Sequence, residues 1–330
     1  MKVRKYLAMF LLCLLLAGCG QSPAPSETTA PPTQAAEPIP TETIPEEVAE
    51  AEFEAVAEPV PMAEAIILEP EASGTQEVRI EGAVIDYSHA ADGYVMVQYS
   101  AETENRLKVL VKGGGATYSY NLPQGQWTVF PLSDGNGTYQ VCIYQNVYDT
   151  KYALILSAIF DVTLIDEFAP FLRPNQYVDY SSATLAVEKG LEVTAGLTDP
   201  LEKVAAVYDF VVTTLEYDYE KAETVKSGYL PVLDDVLASQ KGICFDYAAL
   251  MTAMLRSQGI PSKLVVGYAG NVYHAWISVW TEENGRIDGA IFFDGQVWKR
   301  MDPTFASSGN RSDEIMDYIE HGDYVAKYLY

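Results

Sequence analysis

The distribution of apolar positions divides the chain into four stretches. Leu7 to Leu16 is an almost unbroken apolar run behind Lys2, Arg4 and Lys5. It is too short to span a bilayer as a stable helix and has the layout of an export signal. From Gly20 to about Thr75, apolar residues thin out and Pro, Ala, Glu, Thr and Ser dominate, a composition that builds no packed core. From Val78 the pattern changes to short runs rich in Val, Ile, Tyr and Phe: Val78–Tyr87, Tyr94–Ser100, Leu107–Lys112, Thr117–Asn121, Trp127–Leu132, Thr138–Gln145 and Leu154–Leu164. Gly113–Gly115 and Asp134–Gly137 are the strongest turn signals between them. Seven strands at this spacing predict an antiparallel β-sandwich of Ig-like size.

Beyond about Asp166 the period becomes helical. Asp199, Pro200 and Glu202 supply an N-cap, a first-turn proline and a capping-box acid. Val204, Tyr208, Val211 and Val212 then share one face and predict a helix to about Leu215. A shorter helix is predicted over Pro231 to Ser239. After Cys244, Ala248, Met251 and Leu255 recur at helical spacing alongside Leu250 and Met254, and Gly259 and Pro261 end that helix. Lys263–Tyr268, Tyr273–Trp280 and Val297–Thr304 read as strands by their β-branched and aromatic content. The expected fold class is α+β. The expected divisions are a signal peptide (1–19), a disordered acidic tether (20–75), a β-sandwich domain (76–165) and a mixed α+β domain (166–330).

Charge changes this picture mainly by its location. The net charge is −25 over 330 residues, yet no Lys or Arg occurs between Lys5 and Arg79 while glutamates recur there. The tether therefore holds much of the acidity, and no basic footprint for nucleic acid exists.

Four cysteines remain to be placed. Cys13 leaves with the signal. Leu16-Ala17-Gly18-Cys19 resembles the lipobox of bacterial lipoproteins, and the resemblance implies that Cys19 is lipidated and holds the chain on the membrane at the bacterial cell surface or envelope. Each acyl methylene buried there contributes ~0.8 kcal/mol. An ordinary signal peptide, or a short membrane anchor with an incidental cysteine, is the alternative. Cys142, between Val141 and Ile143, suits a small hydrophobe in a strand. Cys244 follows Gly242 at the start of a helix, where unpaired N–H groups and the helix dipole stabilise a thiolate. Outside the cytoplasm, a Cys142–Cys244 disulfide is the competing possibility.

Two neighbouring strands are expected to bring His274 beside Asp302, facing the helix start that carries Cys244. Nucleophile, base and orienter then share one place. Gly242-x-Cys244-x-Asp246-Tyr247-Ala248-x-Leu250 is the first block of a wider pattern. Leu255-Arg256-x-x-Gly259-Ile260-Pro261-x-x-x-Val265-x-Gly267-Tyr268, His274-Ala275-Trp276 and Asp302-Pro303-Thr304 follow it. In this order the blocks resemble the transglutaminase-like superfamily, over roughly Asp199 to Phe305. The resemblance implies a papain-like core with Cys244 as nucleophile, His274 as general base and acid, and Asp302 as its orienter. It implies thioester chemistry on a peptide or carboxamide bond, in a protein or peptidoglycan-peptide substrate, without a cofactor. Hydrolysis and amine transfer both stay open.

Tyr217 and Tyr219 are candidates for a side-chain oxyanion donor, and Trp276 for a wall of the cleft. Asp246 and Tyr247 read as structural. His89 and His321 read as structural or solvated, and no His, Cys or Asp cluster has zinc-ligand spacing. The alternative function is a catalytically inactive binding or adaptor protein that uses the same cleft.

Overall fold

The computed structural model describes residues 64–287 and 291–330, which belong to one compact unit. The export signal, Cys19 and the tether up to residue 63 lie outside the described residues. Residues 64–75, at the end of the expected tether, form no helix or strand but are held against the fold. Ile66 N–H donates to Ser257 O (2.7 Å) and Glu71 N–H to the Tyr94 hydroxyl (3.2 Å), while Ala65 and Ile67 pack on the core. The apolar Ile66-Ile67-Leu68 run accounts for this.

Two four-stranded antiparallel sheets come first. One has the order β1–β2–β3–β6, from Glu77–Ile80, Ala83–Asp86, Tyr94–Tyr99 and Thr128–Pro131. The other has the order β5–β4–β7–β8, from Thr117–Asn121, Leu107–Lys112, Gly137–Tyr148 and Lys151–Val162. The run Val78–Tyr87, expected as one strand, is instead a hairpin of two. It turns at Glu81-Gly82, where Gly82 takes a φ of 78°, a conformation that favours glycine. Alternation is clear in β4 and β5, where Leu107, Val109, Val111, Tyr118 and Tyr120 are buried in the core that also takes Ile85, Val97 and Phe130 of the first sheet. Asp134 ties two turns together, accepting from the amides of Gly115 and Ala116 and from the Tyr118 hydroxyl.

The remainder builds around one central helix. α1 (Leu185–Val193), α2 (Pro200–Thr214), α3 (Tyr219–Thr224) and α4 (Leu233–Ser239) precede α5 (Cys244–Arg256). Asp199 caps α2 as its sequence predicts, accepting from Leu201 N–H at 2.7 Å. β9 (Glu216–Tyr217) and β10 (Lys241–Gly242) form a short parallel pair. β11 (Ser262–Ala269), β12 (Val272–Val279), β15 (Lys299–Met301) and β16 (Tyr324–Leu329) make an antiparallel sheet of order β15–β12–β11–β16. Between them, β13 (Asn284–Ile287) and β14 (Ile291–Asp294) pair as a hairpin, and α6 (Pro303–Ser308) and α7 (Asp313–His321) follow β15.

α5 lies between α1, α2 and α4 and the strands β11 and β12. Every residue from Asp246 to Arg256 is buried. Each of Leu250, Met251, Met254 and Leu255 contributes about 1.5–3 kcal/mol by leaving water. The far end of α5 is fastened by Arg256, whose guanidinium donates to Ser262 O, Arg173 O and Tyr330 O. Burial lowers its pKa to about 10, and the carbonyl oxygens take up its donors in place of water. An aromatic seam joins this region to the sheets before it. The rings of Tyr118 and Tyr120 lie 5.8 and 5.9 Å from Tyr330, which stacks on Tyr177 at 3.9 Å, and Tyr177 reaches Phe245 at 5.4 Å.

Candidate active site

Cys244 is the first residue of α5, partly exposed and free; Cys142 is also free, so no disulfide joins them. Its position is set by Asp246. This carboxylate has no exposure and accepts from the amide of Ile243 (2.8 Å), from Lys221 Nζ (2.7 Å) and from the Tyr229 hydroxyl (2.5 Å). It thereby closes the first turn from inside, as the acid of a capping box does. Gly242 is required for a different reason than a left-handed turn: a Cβ there would sit 2.6 Å from the Asp246 Cβ. Tyr247 donates its hydroxyl to Leu215 O at 2.8 Å, anchoring the chain that leads into Tyr217.

His274 lies on β12 with only 4% exposure. Its Nε2–H donates to Asp302 Oδ2 at 2.7 Å, which turns the other ring nitrogen toward the remaining partner. The Cys244 thiol is the other group that acts on the imidazole, raising its pKa. Burial alone would depress the imidazolium. The charge of Asp302, its hydrogen bond and the contact with Cys244 outweigh this and push the His274 pKa up to about 10. The site therefore favours a charged imidazole beside the thiol.

Asp302 differs from the sequence expectation in one respect. The predicted strand Val297–Thr304 is shorter, Lys299–Met301, and Asp302 is the N-cap of α6 with Pro303 in the first turn. The Asp-Pro pair is itself a helix-start signature, and it prevails over the strand propensity of the residues before it. β15 still pairs with β12, with Met301 opposite Ile277, and this brings Asp302 to His274. Asp302 is fully buried and accepts three bonds: from His274, from Phe305 N–H on Oδ1 (3.0 Å) and from the Tyr324 hydroxyl on Oδ2 (2.7 Å). Phe305 also covers the imidazole, its ring 4.4 Å from that of His274 and nearly parallel.

The two tyrosine candidates separate. Tyr217 pairs in register with Gly242, two residues before Cys244, and is half-buried. Burial and the neighbouring Cys244 raise its pKa to about 12, so it remains a donor at working pH. Tyr219 is 66% exposed and touches the site through an edge contact with Tyr217. Trp276 is buried, 6.3 Å from His274 ring to ring and 5.0 Å from Tyr324. It packs behind the dyad. His89 pairs with Asp92 and His321 with Asp317, away from this centre. Among the described residues, no group of three or more His, Cys, Asp or Glu is arranged to hold a metal.

Residues 188–303 match the family model of the Transglutaminase-like superfamily. This stretch is a transglutaminase-like domain. The chain is 29% identical over 142 residues to the Kyphoscoliosis peptidase of Mus musculus, covering 41% of this chain and 21% of that protein. It is 29% identical over 147 residues to a Protein-glutamine gamma-glutamyltransferase of Pseudomonas aeruginosa, covering 38% and 20%. An uncharacterized protein of Mycobacterium leprae is 30% identical over 132 residues, covering 36% and 44%. The chain thus spans less than half the length of each of these relatives.

The transglutaminase-like domain also uses residues that sequence reasoning passed over. Phe305 carried a faint signal, three residues after an Asp-Pro. Lys221, Tyr229 and Tyr324 carried none, because each reaches the site from a distant element.

Proposed function

We propose that this chain is a thiol enzyme acting on peptide or carboxamide bonds. The observation that carries the reading is a partly exposed, free Cys244 at the start of a helix, beside the buried, hydrogen-bonded His274–Asp302 pair. The thiolate of Cys244 attacks the carbonyl carbon and the π electrons move onto oxygen. The backbone N–H of Cys244 and the Tyr217 hydroxyl are the donors we assign to that oxyanion. Collapse of the intermediate expels the amine, which takes its proton from the His274 imidazolium and leaves a Cys244 thioester. Neutral His274 then removes a proton from the second nucleophile, and Asp302 keeps its ring in place throughout.

Water as that nucleophile gives a peptidase or amidase, and an amine gives a transglutaminase. The names of the two relatives correspond to these two fates of one thioester. The lipobox at Cys19 supports an envelope-anchored enzyme, with proteins or peptidoglycan peptides as substrates. We read the paired sheets as an Ig-like sandwich that the anchored chain carries beside its catalytic domain.

Alkylation tests the reading directly. Iodoacetamide applied to the native full chain modifies Cys244 faster than Cys142, and His274→Ala removes the difference. Equal rates for the two cysteines in the unaltered chain overturn the proposal in favour of an inactive binding cleft. Supplying a glutaminyl peptide with a fluorescent primary amine separates transfer, which incorporates the label, from hydrolysis, which does not.

A further inference from the structure

Asp302 binds His274 through an oxygen that is shared. Its Oδ2 accepts His274 Nε2–H and the Tyr324 hydroxyl, each at 2.7 Å, while Oδ1 is taken by Phe305 N–H. Tyr324 opens β16, opposite Ala269 in the register, and lies beyond the stretch 188–303 that matches the family model. Its ring is fixed from three sides: by Trp276 at 5.0 Å, by Tyr318 of α7 at 5.6 Å, and by the Arg300 guanidinium of β15 at 4.1 Å. Arg300 is itself anchored, donating to Ile319 O and Glu320 O. A phenol held this firmly, with its hydroxyl on a fully buried carboxylate, is aimed.

We propose that Tyr324 is a positioning residue of this site, gripping Asp302 by the oxygen that binds His274 and weakening the hold of that carboxylate on the imidazolium. This rests on the thiol-enzyme reading for its functional meaning, though not for its geometry. A carboxylate oxygen that accepts two donors presents less negative charge to each than one that accepts a single donor. Without the phenol, the full charge of Oδ2 falls on His274 and its proton is harder to remove. A base that must later deprotonate water or an amine works best when its pKa is not driven too far above the working pH. Tyr324 thus tempers a pair that burial makes strong. The phenol stays protonated for this task, since burial, the charge of Asp302 and the bond to it all raise its pKa, against a smaller opposing effect of Arg300. The charged or titratable groups facing the assembly are Cys244 and Asp302 around His274, and Asp302, Arg300 and Tyr318 around Tyr324.

The experiment is an imidazole titration on the full chain, with ¹⁵N-histidine, comparing the unaltered protein with Tyr324→Phe. The sequence has three histidines, so His274 is assigned by the signal missing from His274→Gln. Phenylalanine keeps the ring contacts with Trp276 and Arg300, so the fold is retained, and a melting curve checks this. The inflection of His274 moves up by about half a unit to one unit in Tyr324→Phe, with His89 and His321 unmoved. An inflection that stays or moves down overturns the proposal, and so does a lowered melting temperature with no movement. The titration does not depend on the reactivity of Cys244. A moved inflection in a chain whose Cys244 alkylates no faster than Cys142 sinks the thiol-enzyme reading and leaves the role of Tyr324 standing.

Discussion

Cys142 and Cys244 carry the same thiol and are both free, yet they inhabit opposite environments. Cys142 sits in the interior of β7, buried, with the Ser157 hydroxyl as its polar neighbour. Cys244 opens α5, partly exposed, beside an imidazole. The surrounding regions differ in the same way. In the paired sheets the buried polar residues are Asp86 and Ser133, and the core is otherwise apolar. Around α5 they include Asp246, Arg256, His274 and Asp302, three of which have no exposure at all. A buried charge is tolerated only where donors or acceptors replace water, and three of these have such partners in number: Asp246 three donors, Arg256 three carbonyls, Asp302 three donors. The first region is stabilised by side-chain packing that many apolar residues satisfy. The second concentrates its polar interactions at the two ends of one helix and behind one histidine, and that is where we propose the chemistry.

The comparison is broken most sharply at His274. His274→Ala is expected to lower turnover by about 10²–10⁴-fold, the range that general acid–base catalysis supplies; steady-state assay against a cleaved peptide checks it. Next comes Asp246→Ala, expected to lower folding stability by ~3 kcal/mol in urea denaturation, because it leaves Lys221, Tyr229 and the Ile243 amide without their shared acceptor. A value near that of a surface substitution means that the start of α5 is held by packing alone.

The third test uses pH. The His274 pKa is raised in the fold to about 10, from an unfolded value of ~6.5, so its ion pair stabilises the native state fully below ~6.5. That contribution declines as pH rises toward about 10. The difference in melting temperature between the unaltered chain and His274→Gln should therefore shrink across this window. A difference that grows contradicts the charged pair. The smallest effect belongs to the other cysteine. Cys142→Ala is expected to cost about 1 kcal/mol and to leave turnover unchanged, as a urea midpoint and the same peptide assay will report.

Local signals made much of this legible. Asp199-Pro200 announced α2, the spacing after Cys244 announced α5, and short β-branched and aromatic runs between turn signals announced β4 and β5. Cys244, His274 and Asp302 were readable as candidates because each sits in a compact sequence block, and the structure joins His274 to Asp302. Of the two oxyanion candidates, the register of β9 with β10 favours Tyr217, a distinction that two identical side chains two residues apart cannot carry in sequence. What stayed hidden was contributed at long range. Lys221 and Tyr229 meet Asp246 from a short helix and the loop after it, and Tyr324 reaches Asp302 from the last strand. None has a periodic pattern, because each is selected by its place in three dimensions. The helix α6 was missed for a related reason: it spans six residues and has too few turns to show a period.

Asp302 carries a further consequence, for anyone wishing to move this site into another scaffold. One oxygen of its carboxylate holds the edge of the imidazole, and the other caps the helix that lays Phe305 across the imidazole face. The histidine is thus gripped on edge and face by a single hinge-pin of four residues, Asp302-Pro303-Thr304-Phe305. Grafting a lone aspartate would reproduce the distance to the ring and lose the vice. The portable unit is the whole tetrapeptide, delivered together with the helical turn that it starts.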